Sequence, residues 1–113
     1  MDIQLKKHGD IPVIHIGGSL STSIHCNELI HAVENEVFPD STHFVIEMSD
    51  LTYMNSEGIG TFMTLFTKAR NRNGEMVLVG LNATIKKLLT ITKLEHIFNI
   101  EESVDDAANF LNK

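Results

Sequence analysis

The sequence predicts an α/β domain, built on a mixed, mainly parallel sheet, and three observations carry that expectation. Short apolar runs rich in β-formers, His43–Met48 and Glu75–Val79 among them, alternate with segments of helical period. Strands that alternate with helices need crossover connections, which make neighbouring strands parallel. The opening segment instead reads as a hairpin, so its first strand is expected to be antiparallel. At 113 residues the chain fits a single domain, 1–113, and an apolar content of 42% suits a folded core.

The elements follow in order. Ile3 and Leu5 alternate with polar neighbours, Gly9-Asp10 turns the chain, and Ile11–Ile16 forms the second strand, with Pro12 near its start. Gly17-Gly18 is read as the end of that strand. Ser21, Thr22 and Ser23 offer caps for a helix whose apolar positions are Ile24, Leu29, Ile30, Val33 and Val37, with Pro39 just beyond. The buried strand His43–Met48 leads through a loop to a second helix, with Ile59, Phe62, Met63, Phe66 and Ala69 on one face and Asn73-Gly74 closing it. Glu75–Val79 is the next strand, Ile85, Leu88 and Leu89 belong to a third helix, and Ile97–Ile100 is the final strand. Ser103 caps a terminal helix carrying Val104, Ala107, Ala108 and Leu111. The predicted order is β-β-α-β-α-β-α-β-α, with about four helices flanking the sheet.

Composition narrows the function. Fifteen acidic against nine basic residues leave a formal charge of −6, and Lys6-Lys7, Lys68–Arg72 and Lys86-Lys87 are short and separated. Nucleic acid is therefore not the expected partner, since phosphate contacts need clustered cations. Cys26 is the only cysteine, so no internal disulfide can form. The N-terminus lacks the apolar segment of a signal peptide, and no apolar run is long enough to span a bilayer. A cytoplasmic protein without membrane insertion is expected.

No enzyme is expected either. Gly58-x-Gly60 supplies two glycines of a dinucleotide fingerprint, but position 63 is Met and no phosphate-loop lysine follows. The six histidines are scattered, and His25 and His31 do not make an i, i+4 pair, so no metal is expected. No nucleophile–base–acid set stands out, and no cofactor is expected.

The informative stretch is Asp50–Gly60, between the central strand and the second helix. Function in open α/β sheets gathers where strand ends meet helix N-termini. Ser56 is expected at the first turn of that helix, where free N–H groups and the positive end of the macrodipole suit a phosphate. The plainer reading of Asn55 and Ser56 is that they cap the helix. Gly58 and Gly60 thin the side-chain cover, so a partner's backbone can approach the hydroxyl. On that expectation, a large residue at 58 blocks binding and leaves the fold intact.

This stretch resembles the defining motif of the STAS family, which joins domains of sulphate transporters with bacterial anti-sigma-factor antagonists. The family's hydrophobic-Asp-Ser-Ser/Thr/Ala-Gly-Leu/Ile-Gly reads here as Met54-Asn55-Ser56-Glu57-Gly58-Ile59-Gly60. Gly18-Ser19-Leu20 resembles its Gly-x-Leu/Ile-Asp element, Gly74–Leu78 its glycine-led strand, and Leu81–Phe98 its closing helix and strand. Asn55 and Ser21 replace two aspartates of the pattern, and Glu57 stands where a small residue is common. Losing the carboxylates either lowers repulsion toward a phosphoryl group or alters pairing with a kinase.

The resemblance implies a STAS-like fold and a partner switch, in which the protein is substrate and ligand. Ser56 would be phosphorylated by a serine kinase of the histidine-kinase-like ATPase type that is also an anti-sigma factor, and reset by a serine phosphatase. The unphosphorylated form would bind that kinase through Asn55, Ser56, Glu57, Gly58 and Ile59, joined by Ser19, Ser21 and Thr22. The alternative is a STAS adaptor or scaffold subunit that carries no phosphate.

Overall fold

The computed structural model describes residues 1–112; Lys113, the last residue of the expected domain, lies outside the described residues. Five strands form one sheet in sequence order: β1 (Asp2–His8), β2 (Ile11–Leu20), β3 (Phe44–Met54), β4 (Met76–Val79) and β5 (Asn99–Glu101). β1 pairs antiparallel with β2, and every later pair is parallel. The helices are α1 (Ser23–Ala32), α2 (Ser56–Asn71), α3 (Ala83–Ile91) and α4 (Val104–Leu111), with a π turn at Val33–Val37 continuing α1. Element order, sheet type and helix number are those the sequence predicts.

The two-residue period of the strands divides the interior. Ile14, Ile16, Ile46, Met48 and Leu78 face α1, α2 and α3, meeting Leu29, Val33, Phe62, Leu65, Ile85 and Leu89. Ile11, Val13, Val45, Val77 and Val79 face the other way, where Ala107 and Ala108 of α4 cover them. β3 and β4 are thus buried on both faces, which explains their nearly unbroken apolar runs. Ahead of the start of α4, the same face of the sheet is left open as a cavity of about 540 Å³, bordered by Ser103 and Val104 and by His15 and Glu47.

Several details differ from the sequence reading. Gly17-Gly18 does not end β2: Gly18 takes φ +89°, the ladder shifts register beside it, and pairing resumes at Ser19 and Leu20. A glycine pair within a strand here marks an irregularity rather than a terminus. β3 likewise continues through the expected loop to Met54. On α2, Leu65 is fully buried and Met63 and Phe66 are only partly so. Ile24 is 71% exposed instead of joining the buried face of α1.

Candidate functional site

The site is built where β2 and β3 end side by side. Ser19 pairs with Tyr53 and Leu20 with Met54, so the starts of α1 and α2 lie next to one another. Each helix has its own cap: the Thr22 hydroxyl accepts from the His25 amide, and the Asn55 side-chain oxygen accepts from Glu57 and Gly58. Asn55 also donates through Nδ2 to the Ser21 carbonyl at 3.1 Å, tying the two helix starts together. Ser19 and Ser21 share a hydroxyl–hydroxyl bond of 2.7 Å, and the Thr52 hydroxyl donates to the Gly18 carbonyl at 2.8 Å. A side-chain lattice therefore holds the end of β2 and the Ser21-Thr22 connection against the end of β3.

Ser56 is the first residue of α2 and is exposed. Capping falls to Asn55 and not to Ser56. Two of the first-turn N–H groups expected to be free are occupied by the Asn55 oxygen, at 3.1 and 3.3 Å. A phosphate on Ser56 would thus meet the positive end of the helix but would not displace the cap. Glu57 is exposed beside it, while its carbonyl is covered by the Thr61 hydroxyl at 3.0 Å and by the Cys26 thiol at 3.6 Å.

The glycines require a correction. Gly58 is buried, and a Cβ there would lie 2.5 Å from Met54 Cγ and 2.6 Å from the Leu20 carbonyl oxygen. It lets α2 close onto the strand ends and does not thin the outer surface, so a large residue at 58 must disturb the fold. The same packing argues against a phosphate-cradling glycine. Gly60 faces open space, and a Cβ at that position would meet nothing within 4 Å. Ile59, only 9% exposed, supports α2 from below. Asn55, Ser56, Glu57, Ser19, Ser21 and Thr22 do converge at this end of the sheet.

Sequence reasoning missed two exposed apolar side chains on the same rim: Tyr53, 54% exposed at the end of β3, and Ile24, 71% exposed in the first turn of α1. Tyr53 lies within the informative stretch, but reading that stretch as a loop hides that it flanks Ser56 on an ordered strand. A cluster behind the site was missed as well. His15 bonds Glu47 through Nδ1 at 2.5 Å and Asp50 through Nε2 at 2.9 Å. Burial tends to raise the Glu47 carboxyl, but hydrogen bonds from Ser49, the bond from His15 and its charge outweigh this and hold it below the ordinary glutamate value. The two carboxylates lie on opposite edges of the ring and do not converge on one point; among the described residues, no group is arranged to hold a metal ion.

A serine presented at the first turn of a helix, on a mixed five-stranded sheet with α4 alone on one face, defines a small α/β module. Its sequence pattern is that of the STAS domain over residues 2–107, and the chain belongs to that family. It is similar to the anti-sigma-B factor antagonist of Listeria monocytogenes, 38% identical over 56 residues, covering 50% of this chain and 49% of the relative. The chain therefore matches about half the length of that relative. Similarity to the anti-sigma F factor antagonist of Paenibacillus polymyxa, 22% identical, covers 100% of this chain and 94% of that one. In fold it resembles the Bacillus cell fate determinant SpoIIAA in its phosphorylated form, with a TM-score of 0.74 and 17% identity, covering 99% and 100% of the two chains. These relatives are regulators by name, and no helix among the described residues is long and apolar enough to cross a membrane.

Proposed function

We propose that this protein is a partner-switching regulator whose Ser56 is phosphorylated by a serine kinase that is also an anti-sigma factor or similar inhibitor. Unphosphorylated, it binds the kinase and frees the inhibitor's other client; phosphorylated, it lets go, and a serine phosphatase resets it. The protein is ligand and substrate, acts in the cytoplasm, and performs no catalysis. The observation that carries this reading is that Ser56 is exposed and has no capping duty, because Asn55 performs it. A hydroxyl serving as the cap would be tied to the backbone; this one is available to a kinase.

The contact surface combines the polar ends of both helix starts, Ser19, Ser21, Thr22, Asn55, Ser56 and Glu57, with Tyr53 and Ile24 as apolar anchors. Exposed aromatic and aliphatic groups beside polar ones are what a recognition patch offers. Phosphate on Ser56 gains about 0.3–1 kcal/mol from the helix dipole, too little to rearrange the domain. Release therefore arises at the interface, where a desolvated or mispaired charge costs about 2–5 kcal/mol. SpoIIAA, a protein of the same fold, has a phosphorylated form, and this supports phosphorylation on such a domain.

A pull-down from native cells followed by mass spectrometry reads partner and phosphosite together. The expected result is a kinase of the histidine-kinase-like ATPase type and phosphate on Ser56, absent in Ser56→Ala. Transporter or scaffold subunits with no phosphate on Ser56 would replace the switch by the adaptor.

A further inference from the structure

The His15 cluster sits astride an irregularity in the strand that leads to Ser56. His15 pairs with Glu47, and Gly17 with Asp50, so two residues of β3, Met48 and Ser49, stand opposite Ile16 alone. That extra residue is a β-bulge, and it resets which side chains face which way. Because of it, Asp50 returns to the face of Glu47, and Leu51 turns into the core at 1% exposure. His15 touches the strand on both sides of the bulge, once before it and once after it. Gly80, at φ +76°, makes room, since a Cβ there would lie 2.6 Å from Glu47 Oε1.

The two bonds need two ring protons. A neutral imidazole carries one N–H, so it can donate to one carboxylate and must turn a lone pair toward the other; the imidazolium donates to both. The carboxylates are unequal. Glu47 is 17% exposed and also accepts from the Ser49 amide at 2.9 Å, whereas Asp50 is 72% exposed and readily taken up by water. Removal of one ring proton therefore frees Asp50. The cavity on the α4 face, lined in part by His15 and Glu47, opens the ring to solvent for proton exchange.

We infer that His15 is a positioning residue whose imidazolium form clamps the β3 bulge through Glu47 and Asp50, and so directs the strand that delivers Asn55 and Ser56. Loss of its proton releases Asp50 and loosens that delivery. Other charged and titratable groups line the same cavity: Lys6, Lys7 and His8 from β1, and Glu102 ahead of α4. The consequence for partner binding rests on the role proposed for Ser56; the clamp itself does not.

The test is a ¹H–¹⁵N NMR titration of the full chain from about pH 5 to 8, the range in which histidine ordinarily changes charge. The His15 ring nitrogens and the backbone amides of Ser49–Glu57 are followed together. The expected result is one midpoint shared by the ring and by the amides from Asp50 to Glu57. In Asp50→Asn the ring should still titrate while the amides beyond 50 no longer follow it. His15→Gln, a neutral side chain, should hold the alkaline pattern throughout. A ring that titrates while those amides stay still, or one that is neutral across the whole range, overturns the clamp, and one that stays protonated throughout overturns its release. Binding of the captured kinase, measured over the same range, adds a separate reading. If Ser56 proves not to be phosphorylated, the proposed function fails while the NMR result on the clamp stands.

Discussion

Two glycines that look alike in sequence should respond oppositely to the same methyl group. Gly58 and Gly60 both lie in the first turns of α2, so replacing either by Ala adds a similar gain in helix propensity, about 1 kcal/mol. At Gly60 the methyl meets open space, and the full gain should appear. At Gly58 it meets Met54 Cγ at 2.5 Å and the Leu20 carbonyl oxygen at 2.6 Å, where ordinary contacts need roughly 3.5–4 Å. The Met54 side chain can turn, but the carbonyl belongs to the end of β2 and can retreat only if the strand shifts or α2 lifts. Such overpacking costs about 1–3 kcal/mol. The propensity gain cancels between the two variants, so the difference isolates the steric cost. For 113 residues, about 1 kcal/mol moves Tm by roughly 4 °C. Gly60→Ala should therefore melt about 4 °C above wild type, and Gly58→Ala about 4–12 °C below Gly60→Ala. Calorimetry or thermal circular dichroism reads both. Gly58→Ala melting as high as Gly60→Ala would refute the packing argument.

Asn55→Ala should destabilise by about 1–2 kcal/mol, since it removes the cap of α2 and the bond to the Ser21 carbonyl. Asn55→Asp keeps the acceptor and should recover most of the cap. Thermal melts of the two variants against wild type check both. The Glu47 carboxyl is held below its ordinary value, so its stabilisation is present above that value and is lost as pH falls through the lowered one. Urea midpoints of wild type and Glu47→Gln should accordingly converge on acidification from about pH 5 toward pH 3.

Much of the fold was legible because each strand and helix carries its own period. Val45, Val77 and Val79 against Ile46, Met48 and Leu78 already announce two buried faces. The lengths of β2 and β3 were not legible, because Gly17-Gly18 and the polar residues after Met48 are also what a turn contains. Only pairing across the sheet distinguishes a bulge from a terminus. The placement of Ser56 was legible from a strand followed by cap residues and a helical face. The inward direction of Gly58 was not, since a glycine has no side chain whose polarity betrays its side. His15, Glu47 and Asp50 come together only through the register of β2 with β3, which no local pattern encodes.

The central claim is that charge on Ser56 controls partner binding at an otherwise unchanged surface. The most direct measurement is isothermal calorimetry of the captured kinase with wild-type protein, its phosphorylated form and Ser56→Asp, alongside the melting temperature of each. The account expects phosphate to weaken binding by roughly thirtyfold to several thousandfold, the equivalent of about 2–5 kcal/mol, with Ser56→Asp following at least in part. Melting temperatures should stay close to that of wild type. Equal affinity of all three forms would contradict the switch.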